Sequence, residues 1–203
     1  MQHQYFITGI GTNVGKTLVS AIFCEAYNAN YYKPIQAGEL HSTDAHTVQQ
    51  LVTRPITIYD SAYALATPAS PHLAASIDGV TIDLTNITMP NTTNNLIVEG
   101  AGGLLVPINS TQTILDIVKK INLPVVLVSQ HYLGSINHTL LTYELLCKHN
   151  ITIKGIVFNG VTNPSSESFI LHYTQLPCLL RIAQHTSITP QLVQHYAQQL
   201  LAH

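Results

Sequence analysis

The sequence predicts an α/β protein, a mostly parallel sheet covered by helices on both faces. Three observations predict it. Short apolar runs of strand character alternate with helical stretches along almost the whole chain. The first run, Tyr5-Phe6-Ile7-Thr8, passes through a glycine-rich turn straight into Gly15-Lys16-Thr17 and an apolar helical stretch, which is the strand–loop–helix order of a phosphate-binding loop. Lys33, Glu99 and Asn159 fall at the ends of three further expected strands, on the rim where open α/β sheets bind ligands.

In chain order, Leu18 to Tyr27 reads as a helix with its apolar residues on one face, and Ala29 to Tyr32 as a short strand stopped by Lys33-Pro34. Asp44 to Leu51 reads as a helix entered through Ser42-Thr43, residues that cap helices. Within Pro68 to Ile77, Ser70 can cap a helix whose first position is Pro71. The polar stretch from Asn86 to Asn95 is loop-like, and Leu96-Ile97-Val98 is a buried strand ending at Glu99 and the turn Gly100-Ala101-Gly102-Gly103. Val125 to Ser129 is the most apolar strand, and Ile136 to Cys147 a helix. Ile153 to Phe158 is a strand ending in Asn159, followed by a helix over Ser166 to Tyr173 and a last strand over Cys178 to Ile182. Thr189-Pro190 then caps a helix with Leu192, Val193, Tyr196 and Leu200 on one face. With 203 residues and no linker, repeat or low-complexity stretch, a single domain over residues 1–203 is expected.

Composition narrows the function. Charged residues are 9% of the chain, against roughly 25% in an average soluble protein. A net charge of −2 without a basic run argues against nucleic acid or an anionic membrane as partner. The start, MQHQYF, has neither a basic nor an apolar leader region, and no apolar run reaches the length of a membrane span. A cytoplasmic protein is expected. Cys24, Cys147 and Cys178 stand singly in apolar settings and read as reduced core thiols; the eleven histidines are scattered without ligand spacing.

With so few charges, each one beside an apolar strand calls for a reason. In the loop, backbone N–H groups and the positive end of the helix dipole would meet anionic oxygens, Lys16 would reach the terminal phosphates and the Thr17 hydroxyl would ligate Mg²⁺. The usual spacing places four residues between the first glycine and Gly-Lys-Thr; here Gly9 is one residue early and Gly11 late, with Ile10 between. Glu99, after an apolar strand and before glycines, fits the second acid of a nucleotide site. The residues alone favour Asp44 as an ordinary helix N-terminal acid over a metal ligand. Lys33 is either a stabiliser of charge in phosphoryl transfer or a surface lysine. Asn159 either reads a purine edge or forms the turn before Gly160, while Tyr31 and Tyr32 are expected to pack.

Taken together, several segments resemble the dethiobiotin synthetases, P-loop NTPase-like enzymes of biotin biosynthesis. These are Tyr5 to Gly9, Thr12 to Thr17, Tyr32-Lys33-Pro34-Ile35-Gln36-Ala37-Gly38, Ser42-Thr43-Asp44-Ala45, Pro68-Ala69-Ser70-Pro71-His72, Val98-Glu99-Gly100-Ala101-Gly102-Gly103, Leu133-Gly134-Ser135-Ile136-Asn137-His138, and Asn159. They stand in family order from residue 5 to 160, and the five-residue gap between Gly9 and Gly15 is itself a family trait. The resemblance implies a three-layer P-loop fold and ATP-dependent closure of 7,8-diaminononanoate with CO₂ to dethiobiotin. The expected route runs through a carbamate and a carbamic-phosphoric anhydride and releases ADP and phosphate.

It further implies roles by residue. Lys33 and Lys16 would be catalytic. Nucleotide contacts would come from Thr12, Asn13, Val14, Gly15, Lys16, Thr17 and Leu18, from Asp44, from Glu99, Gly100, Ala101 and Gly102, and from Asn159, Gly160, Ile182, Ala183 and Gln184. Lys33, Ala37, Ser70, Pro71, Ser135, Ile136 and Asn137 would hold the substrate, and Thr17, Asp44 and Glu99 the Mg²⁺. A homodimer with the active site at its interface is expected. Three positions depart from the family pattern: Ala37 replaces a hydroxyl residue, Asn13 replaces an acid, and Arg181 to His185 lacks the proline of the adenine loop. The competing reading is a partitioning or scaffold-type P-loop switch ATPase. Those proteins carry an extra lysine where this chain has Gly11, and they often end in a basic or membrane-binding helix, unlike Gln191 to His203.

Overall fold

The first strand, β1 (Gln4–Gly9), lies between two strongly buried strands, and from Tyr5 onward its own side chains are buried on both faces of the sheet. In this computed structural model residues 2–202 are described; Met1 and His203, the ends of the expected 1–203 domain, lie outside the described residues. The helices and strands that follow are α1 (Lys16–Tyr27), β2 (Asn30–Tyr32), β3 (Ile35–Ala37), α2 (Asp44–Leu51), β4 (Ile58–Tyr59), β5 (Tyr63–Leu65), α3 (Pro71–Ile77), β6 (Leu96–Glu99), α4 (Ile114–Ile121), β7 (Val125–Gln130), α5 (Ser135–Lys148), β8 (Ile153–Asn159), α6 (Pro164–Thr174), β9 (Cys178–Ile182) and α7 (Pro190–Leu201).

Seven strands form one parallel sheet in the order β4-β2-β6-β1-β7-β8-β9. Alternation along β1 sends Ile7 into a cluster with α1, α2 and α7, and Phe6 into a second cluster with α3 and α4 on the opposite face. Leu127, Ile156, Phe158 and Ile170 form a smaller cluster under α6. Burial on both faces explains why the central strands read as continuous apolar runs rather than alternating ones. All strands run the same way, so their carboxyl ends share one edge, where the phosphate loop, Lys33, Glu99 and Asn159 emerge. Among the described residues no helix is long and apolar enough to cross a membrane.

The expected elements are present, with ends displaced by a residue or two. α6 starts at Pro164 rather than Ser166 because Asn163 caps it, its side chain accepting from the Ser166 N–H. Four helices and strands were not anticipated. β3, β4 and β5 have only two or three residues each, too few to show a period; β3 and β5 pair with each other apart from the main sheet. α4 did carry signals: Thr113 and Asp116 form a capping box, and Ile114, Ile117, Val118 and Ile121 are buried on one face. The thiol expectation needs correcting. Cys24 is buried, but Cys178 is half-buried and Cys147 is exposed, since Cys147 falls on the outward face of α5.

Ile97 is fully buried in β6 between two strands. Ile97→Ala should destabilise the protein by about 2–5 kcal/mol through lost burial and a residual cavity, read as a lowered denaturant midpoint at unchanged slope.

Candidate active site

The loop between β1 and α1 is shaped by close approach. A Cβ at Gly9 would lie 2.5 Å from Val14 Cγ2, so the buried Val14 side chain folds back across a strand end that only glycine leaves open. Ile10, where the common spacing would put the glycine, packs against the core instead. Gly15 has φ +95°, and a Cβ there would stand 2.2 Å from Asn159 Nδ2. That amide donates to the Val14 carbonyl at 2.9 Å. Asn159 therefore braces the loop from the end of β8, two strands away from β1, and uses for it one of the donors that a base-reading role would need.

At the start of α1, Lys16 is 7% exposed and its Nζ donates to the Gly11 carbonyl at 2.8 Å. Burial lowers its pKa to about 8, against the raising influence of Glu99.

Beside the loop, Lys33 is 7% exposed and Glu99 1% exposed. The Lys33 ammonium bonds the Asp44 carboxylate and, at 3.1 Å, Glu99 Oε1. Burial pulls the Lys33 pKa down, but Glu99 and Asp44 together outweigh it and hold it above the usual lysine value. Burial would raise Asp44, yet Lys33 outweighs that and keeps it below the usual range. The Thr17 hydroxyl stands 2.7 Å from Asp44 Oδ1 and 3.0 Å from Glu99 Oε1. Tyr31 donates to Glu99 Oε2 at 2.9 Å, and burial, aided by Glu99, pushes its phenol well above the usual value, so it stays a donor. Tyr31 was expected merely to pack; its period-2 position shows burial but not its partner.

These groups line a cleft of about 700 Å³. Thr12, Asn13, Gly15, Lys16, Thr17, Lys33, Ala37, Asp44, Ser70, Pro71, Glu99, Ala101 and Gly102 all face it. Val14 and Leu18 pack beneath it, and Gly100 lies against Phe6, where a Cβ would be 2.9 Å from the ring. Asn159, Gly160, Ile182 and Ala183 line a smaller pocket of about 90 Å³ at the ends of β8 and β9, with Gln184 exposed just beyond Ala183. Ser135, Ile136 and Asn137 line a different groove, of about 690 Å³, with Val161 to Asn163. Within one chain, then, the structure does not bring them to the Lys33 cleft.

Thr17, Asp44 and Glu99 offer hard oxygen donors at one point. Among the described residues no cluster of three His, Cys, Asp or Glu side chains exists. One or two carboxylates beside a phosphate loop is the donor set that Mg²⁺ takes, the remaining positions going to water and phosphate. The residues present fit that ion.

Two further side chains shape the cleft and its approach. Gln36 lines the cleft, is 6% exposed, donates to the Gly38 carbonyl at 3.0 Å and leaves its Oε1 without a partner among the described residues. Asp78, at the end of α3, accepts from the Ala66 and Thr67 N–H groups at 2.6 and 3.3 Å and from the Thr67 hydroxyl at 2.5 Å. It thereby clips the chain that leads into Pro68 to Ser70. Gln36 belongs to the Tyr32 to Gly38 segment that carries the family resemblance, whereas Asp78 had no sequence signal beyond its residue type.

Two predictions follow from this geometry. Gly15→Ala should abolish binding of a non-hydrolysable ATP analogue in calorimetry, whereas Asn159→Ala should weaken it about three- to tenfold, the worth of one hydrogen bond. Hydrogen bonds from Thr67, then from Ala66, hold the Asp78 carboxyl below its ordinary 3.8. A depressed carboxyl contributes stability above its unfolded pKa and loses it as the pH falls through the folded one. The melting temperature of the wild type should therefore exceed that of Asp78→Asn at pH 7, and the gap should close below pH 3.8.

Comparison with known proteins agrees with this architecture. A family model described as an AAA domain matches residues 3–191. The ATP-dependent dethiobiotin synthetase BioD of Christiangramia forsetii is 47% identical over 98% of this chain and 96% of its own length. The BioD of Cytophaga hutchinsonii is 49% identical over 97% and 96%. Among solved structures, the septum site-determining protein MinD of Pyrococcus horikoshii, complexed with Mg-ADP, superposes with a TM-score of 0.64 over 99% of this chain and 95% of that one. At 13% identity that likeness concerns the fold alone. Sequence identity over nearly the full length, with the phosphate loop and the buried Lys33 in one cleft, places the chain in the ATP-dependent dethiobiotin synthetase family.

Proposed function

We propose that this protein closes 7,8-diaminononanoate with CO₂ into dethiobiotin at the expense of ATP, as its family does. The observation that carries the reading is Lys33, a buried cation held by two carboxylates beside the phosphate loop. Both reactants that must meet there are anions, a carbamate and a triphosphate, and preorganised cations reduce the barrier to their approach.

The chemistry runs in three steps. One amine of the substrate attacks CO₂ and loses a proton, giving a carbamate. A carbamate oxygen attacks the γ-phosphorus and ADP departs, leaving a carbamic-phosphoric anhydride. The second amine attacks the carbonyl carbon, loses its proton and expels phosphate as the ring closes. Lys16, freed from the Gly11 carbonyl, binds the β/γ oxygens. The Lys33 ammonium faces the carbamate and the transferring phosphoryl group while Asp44 and Glu99 fix its position. Loop N–H groups at the start of α1 bind the phosphates.

Thr17, Asp44 and Glu99 are the residues that would hold Mg²⁺, which when bound offsets the negative charge of the β/γ oxygens. Ala37, Ser70 and Pro71 would contact the diamine. Asn159, Gly160 and Ile182 to Gln184 would border the base. The Gly134 to Asn137 turn opens α5 with its N–H groups free of side-chain caps, and such a terminus favours a carboxylate. Since it lies apart from the cleft within one chain, it would serve the cleft of a second copy, so a homodimer with shared sites is part of the proposal. The cytoplasm, where ATP is present, is the proposed location.

Phosphate release from ATP, measured with and without 7,8-diaminononanoate and bicarbonate, tests the reading. Release that depends on both supports it, and equal release in their absence would favour a switch ATPase. In Lys33→Ala, dethiobiotin formation should fall at least about a hundredfold while the affinity for an ATP analogue changes little; near-normal turnover would sink the assignment of Lys33.

A further inference from the structure

We infer that His72 is a positioning residue that sets the polarity of Ser70, making its oxygen an acceptor for a substrate amine; this rests on the dethiobiotin synthetase reading. A serine at this helix start stands in a capping position without capping. Ser70 is the N-cap of α3, yet its side chain accepts no backbone N–H of the helix. The local sequence removes the usual demand for it. Pro71 at the first helical position has no N–H, and the His72 N–H donates to the Pro107 carbonyl at 3.2 Å. The freed Ser70 Oγ instead stands 3.0 Å from His72 Nδ1.

That hydroxyl lines the catalytic cleft. Among the described residues lining it, the other hydroxyls are Thr12 and Thr17 of the phosphate loop, and Ala37 offers none. An unrestrained serine hydroxyl rotates and can present either a proton or lone pairs. In the neutral imidazole with its proton on Nε2, Nδ1 accepts the Ser70 proton and both lone pairs of Oγ become available. A primary amine that is about to attack carbon must keep its own lone pair free and can offer only N–H. An oxygen locked as an acceptor takes that N–H and rejects a ligand presenting a carbonyl or carboxylate. The clip of Asp78 onto Ala66 and Thr67 keeps the approach to Ser70 in place.

The test is a double-mutant cycle in which 7,8-diaminononanoate binding is measured by calorimetry on the wild type, His72→Ala, Ser70→Ala and the double variant, with an ATP analogue as control. Each single change should weaken diamine binding about three- to tenfold, the span of one hydrogen bond. The double variant should bind no more weakly than Ser70→Ala, and His72→Asn, whose amide oxygen accepts from the same direction, should recover most of the loss. Analogue affinity should stay constant throughout. Additive losses, unchanged binding in His72→Ala, an equal loss for the analogue, or no recovery in His72→Asn would each overturn the inference. Wild type that binds the diamine but forms no dethiobiotin would sink the functional reading alone, whereas wild type that does not bind it would sink both.

Discussion

The site depends on a buried lysine whose charge is held by two carboxylates. Lys33 sits at 7% exposure between Asp44 and Glu99, and a lone ammonium there would shed its proton rather than remain desolvated. The two carboxylates reverse that tendency, and Lys33 in turn keeps Asp44 ionised. Removing one member of such a set leaves an uncompensated buried charge, typically a loss of about 3–5 kcal/mol. The same arrangement presents a fixed cation and two oxygen anions to the cleft, so the grouping that satisfies the fold also supplies the chemistry. Tyr31 and Thr17 complete it by hydrogen-bonding Glu99 and Asp44.

The phosphate loop shows how packing selects a spacing. Val14 must cover the end of β1, and Gly9 is the residue that tolerates its methyl group there. Moving the glycine to position 10 would remove an isoleucine that two core clusters use and would place a side chain under Val14. The longer gap thus follows from where Ile10 and Val14, the loop's two apolar residues, are buried. Asn159 completes the loop from the end of β8 by holding the Val14 carbonyl.

Lys16 and Lys33 illustrate how similar burial gives opposite outcomes. Lys16 has a backbone carbonyl as its partner and its pKa drops to about 8. Lys33 has two carboxylates and its pKa rises. One is prepared to gain an anionic ligand, the other already carries its counter-charges. A reaction that moves a phosphoryl group between two anions uses both kinds.

The order of elements, the parallel sheet, the phosphate loop and the candidates Lys33, Glu99 and Asp44 were legible in the residues, because each depends on local spacing: apolar runs, glycines and a charge at a strand end. Even α4 carries its signal locally, in the Thr113–Asp116 capping box. Tertiary structure decided the partners. Tyr31 bonds Glu99 because β2 lies beside β6, Asn159 braces Val14 from β8, two strands away from β1, and Asp44 faces Lys33 because α2 packs beside β2. Strands of two or three residues, the exposure of Cys147 and the separation of Asn137 from the Lys33 cleft likewise had no local signal. Sequence determines what a segment can form, because periodicity and capping act within a few residues. Which side chains meet is settled by burial across the whole sheet, and the ion group at Lys33 exists only after that burial is complete.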